Sequence, residues 1–131
     1  MRALDTNVLV RALVRDDAAQ GRRAEACLGA QPVYIPVTVI LELEWVLRSR
    51  YGYSPKAIAD AMEKLAILEN AVVGEQAAVV AAARKMRQGW DFADALHHAL
   101  AAGCVDFATL DANLARRARR DDATAPPVVA I

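Results

Sequence analysis

Five short, mostly apolar runs recur along the chain: Arg2–Leu4, Val33–Ile35, Ala71–Val73, Phe107–Leu110 and Val128–Ala130. Longer helix-like stretches separate them, and that alternation constrains the fold most. Runs this short and apolar suit strands buried on both faces. Strands alternating with helices imply βαβ units, right-handed crossovers and a parallel sheet covered by helices on both sides. The helix starts are legible. Asp16-Asp17 precedes a helix to about Leu28, and Thr38 precedes VILELEWVLRSRYG. Ser54-Pro55 is a cap followed by proline at the first helical position. Gly74-Glu75 opens EQAAVVAAARKMRQ, which Gly89 closes; Asp91 opens DFADALHHALAAG, which Gly103 closes; Asp111 opens ANLARRARR. With 131 residues and neither linker nor repeat, residues 1–131 are expected to form a single domain.

Composition excludes some classes. At 56% apolar residues, the chain can bury a core and is not disordered. Sixteen basic and sixteen acidic residues cancel, so net charge selects no partner. The longest purely apolar run, Ala77 to Ala83, is too short to span a bilayer. Asp5 interrupts the N-terminus early and no long apolar core follows, so no signal peptide is expected. Cys27 and Cys104 stand singly, in no zinc or redox spacing, and are expected to be buried thiols of a cytoplasmic protein.

In parallel sheets, ligands bind beyond the carboxyl ends of the strands, so the acids there matter most. Asp5 follows the first run and Asp111 the fourth. Each can be a helix cap. Asp94 lies three residues after Asp91, in capping-box register and within a first turn that favours acids. Glu42 lies inside its helix, on a partly apolar face, with no cation one turn away. Glu44 has Arg48 four residues on and reads as a surface acid. A lone carboxylate on an apolar face is costly. If the first and fourth strands are neighbours, Asp5 and Asp111 share one crevice, with Asp94 and Glu42 close by. Carboxylates about 5 Å apart repel by roughly 3 kcal/mol per pair at an effective dielectric near 20. A divalent cation removes that repulsion, and an all-oxygen donor set suits Mg²⁺ or Mn²⁺.

LDTNVLV, the helix carrying Glu42, DFADALHHALA and FATLDANLARRA together resemble the PIN-domain ribonucleases, and specifically the VapC-type toxins of bacterial toxin–antitoxin pairs. The resemblance runs over essentially the whole chain. It implies a PIN-like three-layer sandwich with a central parallel five-stranded sheet flanked by helices. It places the family's acidic quartet on Asp5, Glu42, Asp94 and Asp111, with Asp91 as an additional acid. Asn7 and Thr109 match polar positions that orient the quartet. The implied reaction is cleavage of single-stranded RNA, with one or two Mg²⁺ or Mn²⁺ ions activating water and steadying the leaving oxygen. No nucleophile elbow, phosphate-cradling glycine loop or Cys–His pattern competes with it.

RNA must also be held. Arg116, Arg117, Arg119 and Arg120 extend from the helix that Asp111 opens, and Arg84, Lys85 and Arg87 close the one before Asp91. Both clusters can pair with phosphates, or can be solvated faces with cations at helix ends. His98, one turn after Asp94, is either an RNA or carboxylate contact or a satisfied helix residue. The resemblance further implies a VapB-like antitoxin, whose tail lies in an apolar groove among the helices starting near Thr6, Asp16 and Thr38. It also implies a homodimer and no membrane. Trp45 is expected in the core. Possible RNA targets include tRNA. The alternatives are a PIN nuclease outside any toxin pair, or a catalytically silent PIN module that binds RNA or protein. A phospho-accepting receiver wants an acid ending strand three and a lysine near strand five; this chain has VVG at the first position and no lysine after Lys85.

Overall fold

The computed structural model describes residues 1–121 and 126–131. Along the chain run β1 (Arg2–Ala3), α1 (Thr6–Val14), α2 (Ala18–Ala30), β2 (Val33–Ile35), α3 (Val37–Ser49), α4 (Pro55–Ala66), β3 (Ala71–Val73), α5 (Gln76–Arg87), α6 (Phe92–Leu100), β4 (Phe107–Thr109), α7 (Ala112–Arg120) and β5 (Val128–Ala130). This is an α/β fold of parallel strands and seven helices among the described residues. The caps explain the boundaries. Asp17 accepts from the Gln20 amide at 3.0 Å and Ser54 from the Ala57 amide at 3.1 Å, with Pro55 at the first position of α4. Helix α3 starts a residue before Thr38, with Pro36 at its cap and no side-chain capping bond.

The sheet is divided. β1, β2 and β3 form one parallel sheet with Arg2 opposite Val33 and Tyr34 opposite Val72, while β4 and β5 form a separate parallel pair. No ladder joins the two sheets into a continuous five-stranded one among the described residues. β1 is only two residues long, and its amides bond toward β2, Arg2 N–H to Pro32 O and Leu4 N–H to Tyr34 O. Side chains join the halves instead. His98 on α6 is fully buried, its Nε2 lies 2.7 Å from Pro126 O, and its ring stacks on Trp90 and meets Phe107 edge-on. Close approach also links β3 to α3: a Cβ on Gly74 would sit 2.7 Å from the Tyr34 hydroxyl and 3.1 Å from the Val37 amide.

The core lies between the β1–β2–β3 sheet and α1, α3, α4, α5 and α6, where Leu9, Val33, Ile35, Ile40, Leu43, Ile58, Val79, Phe92 and Leu96 are buried. Burial of the strands on both faces does not hold. Val33, Ile35 and Val73 point inward, but Tyr34 and Val72 on the opposite face are exposed. Helix α3 brings two more corrections. Its inward stripe is Ile40, Leu43, Glu44 and Leu47, so Glu44 is buried rather than on the surface. Trp45, one residue off the stripe, is half exposed rather than in the core, and Arg50 lies over its ring. The cysteines are free, but Cys104 is exposed and Cys27 only partly buried. Among the described residues no helix is long and apolar enough to cross a membrane.

Candidate metal centre

The acids fall into two groups. The first forms where α1 meets α3. Asp5 caps α1, accepting from the Thr6 amide at 2.8 Å. Thr6 is itself buried, and its hydroxyl donates to a Glu42 carboxylate oxygen. Glu42 is thus exposed but tied to the residue after Asp5, with the Thr6 hydroxyl as its partner. Sequence reasoning gave Thr6 no role and looked to Asn7. Asn7 instead lines a hollow of about 340 Å³ between α1 and α2, beside Val8, Arg11 and Ala24. Among the described residues its side chain makes no hydrogen bond that orients an acid. The only signal for Thr6 was its hydroxyl, placed next to a strand-end acid.

The second group lies where α6 begins and β4 ends. Asp91, Asp94 and Asp111 line a crevice of about 230 Å³ with Gly89, Trp90, Asn113, Leu114 and Arg117. Asp91 caps α6 by accepting from the Asp94 amide at 3.0 Å. Asp111 caps α7, accepting from the amides of Asn113 at 2.9 Å and Leu114 at 3.2 Å. The Thr109 hydroxyl accepts from the Asp111 amide at 3.0 Å and holds the backbone of that turn. Burial pushes the Asp94 carboxyl above the ordinary carboxylate range; Asp91 and Asp111 push it the same way, and His97 opposes them. Loss of hydration and like-charge crowding both disfavour the ionised form.

The two groups face the same junction. Helix α6 packs on α3, and Ala93, the residue before Asp94, lines one hollow with Thr38, Leu41, Glu42 and Glu44. They do not merge: among the described residues no three Asp, Glu, His or Cys side chains converge on one point as metal ligands do. Asp5 follows β1 of the three-stranded sheet, and Asp111 follows β4 of the separate pair.

The donor set nonetheless fits a hard divalent cation in kind. It is all carboxylate oxygen, and in the second group burial, Asp91 and Asp111 disfavour the charge on Asp94. Asp91, Asp94 and Asp111 would hold the ion from the α6 side, and Asp5 and Glu42 from the α1–α3 side.

The basic candidates separate clearly. Arg116 and Arg117 are exposed on α7, and Arg117 reaches the acidic crevice. Arg84 is exposed on α5 and lines none of these hollows. Arg87 is held by Asp60 and Glu63 of α4, so its charge is already matched inside the protein. His98 is overturned as an RNA contact: it has no exposed surface, and its ring nitrogens face Pro126 O and Lys85 Nζ. The exposed histidine whose charge acts on Asp94 is His97, three residues after it.

The family follows from comparison with known proteins. The family model described as PIN domain matches residues 2–120, and the chain belongs to that family. PIN domains are typically metal-dependent nucleases, and those nucleases generally use divalent metals. No curated protein and no solved structure matches the chain.

Proposed function

We propose that this protein is an Mg²⁺- or Mn²⁺-dependent endoribonuclease that cleaves single-stranded RNA, tRNA among the candidates. We assign it the toxin role of a VapBC-type pair in the cytoplasm. One observation supports the nuclease reading most: a PIN-domain chain crowds Asp91, Asp94 and Asp111 into one crevice, with the Asp94 carboxyl raised by burial and by its neighbours. A bound divalent cation supplies Lewis acidity and an activated water. The chain's own residues do the placing. The Thr6 hydroxyl positions Glu42 toward the Asp5 end, and the α7 amides and Thr109 orient Asp111. Trp90 and Leu114 form the apolar wall of the crevice, and Arg117 sets a cation at its rim for the substrate phosphate.

The test is cleavage of total cellular RNA with Mg²⁺ or Mn²⁺. Activity is expected from the wild type and from Glu69→Gln, an exposed acid outside the site, and is expected to vanish in Asp5→Asn and Asp94→Asn. Equal cutting by all four proteins refutes the assignment of the site.

The antitoxin and the homodimer belong to the same reading. The hollow between α1 and α2, lined by Val8, Ala24 and Cys27 with Arg11 and Arg23 at its edge, suits a partner tail with apolar and acidic residues. Growth arrest on induction, relieved by the product of the neighbouring gene, tests the toxin role. Arrest without relief favours a nuclease outside any pair. The unmerged acids favour a second reading, a PIN module that binds RNA without cutting it. RNA binding with no cleavage under either metal selects that reading.

A further inference from the structure

Helix α7 buries Leu114, Ala115 and Ala118 and turns its arginines outward. Arg116, Arg117 and Arg120 line a hollow of about 420 Å³ with Gln88, Asn113 and Asp121, floored by Trp90. It adjoins the acidic crevice, because Trp90, Asn113 and Arg117 line both. Among the described residues no carboxylate pairs with that charge. Arg11, Arg15, Arg48 and Arg87 all pair with carboxylates, whereas no α7 arginine does so among the described residues. Asp121 is turned to the indole of Trp90, accepting from Nε1 at 2.6 Å. Among the described residues the acceptors of these arginines are neutral, Asn113 Oδ1 for Arg116 and Gln88 O at 3.4 Å for Arg117. The backbone leaves room for them: Gly89 has φ +99°, and a Cβ there would lie 2.9 Å from Arg117 Nη1.

Guanidinium groups in an open hollow, spaced along one helix face, suit tetrahedral oxyanions that accept paired N–H bonds. The neighbouring acids would repel the same anion, so any polyanion spanning both sites needs the arginines as counterweight. We propose that the α7 hollow is a phosphodiester subsite that takes a backbone phosphate of single-stranded RNA next to the nucleotide in the acidic crevice. This rests on the nuclease reading of that crevice.

The test is metal-free binding, in EDTA, of a fluorescently labelled short single-stranded oligoribonucleotide, followed by anisotropy across a salt series. Arg116→Ala and Arg120→Ala are each expected to weaken binding about tenfold at low salt. Each is expected to flatten the slope of log K against log salt by about 0.7. Arg120→Lys keeps the charge and the slope. Arg22→Ala, on the exposed side of α2, removes a charge elsewhere and leaves both unchanged. Wild-type affinity and slope in both alanine variants overturn the subsite. Cleavage with Mg²⁺ or Mn²⁺ is scored separately. Flattened slopes with no wild-type cleavage retain the subsite and reject the nuclease; cleavage with unchanged slopes does the reverse.

Discussion

Removing Arg48 should expose how α3 tolerates a buried acid. Glu44 is 3% exposed, and Arg48 grips it with two bonds, Nε at 2.8 Å and Nη2 at 3.4 Å. The bond to Glu44 holds the Arg48 guanidinium above its ordinary pKa, and Asp91 adds to the effect. Arg48→Met keeps most of the stem and deletes the charge. Leaving a buried charged acceptor without its partner costs about 1–3 kcal/mol. Arg48 is 49% exposed, so water reaches the vacated side of Glu44 and the loss belongs near the middle, about 2 kcal/mol. In a chain of 131 residues that lowers Tm by about 6–8 °C. Urea unfolding and a thermal scan measure it. The double variant Glu44→Met, Arg48→Met replaces the pair with apolar volume and should recover at least half the loss. The reasoning fails if Arg48→Met unfolds within about 0.3 kcal/mol of wild type, or if the double variant is no more stable than Arg48→Met.

Two other outcomes follow from the packing. His98→Leu strands Pro126 O and Lys85 Nζ and removes the stack on Trp90, so it should cost about 2–3 kcal/mol; hydrogen exchange should then rise first in β4, β5 and α7, and a rise confined to α4 and α5 would contradict His98 as the link. The Arg87 bond holds the Asp60 carboxyl below its ordinary range. A lowered folded-state value gives stability that is present above the unfolded value and lost as pH falls through the folded one. Wild type should therefore melt above Asp60→Asn at neutral pH, with the gap closing below about pH 4.

Much of this protein follows from local sequence. Each of the five strands forms within its apolar run, two of them a residue shorter, because a short apolar run between turn signals has few alternatives. The caps at Asp17, Ser54, Asp91 and Asp111 form because a side-chain oxygen and a free amide a few residues on need no distant partner. Asp5, Asp91, Asp94 and Asp111 were legible by their positions after strands and at helix starts, and Glu42 by its lack of a cation one turn away. Tertiary packing decided the rest. Which way α3 faces depends on what it packs against, so Glu44 is buried while Glu42 reaches Thr6. His98 is buried and His97 exposed because α6 is pinned between Trp90 and Phe107. Whether the acids stand in one group or two turns on how the β1–β2–β3 sheet and the β4–β5 pair meet, since Asp5 follows β1 and Asp111 follows β4. That is a long-range choice between strands of two and three residues, too short for any local pattern to specify.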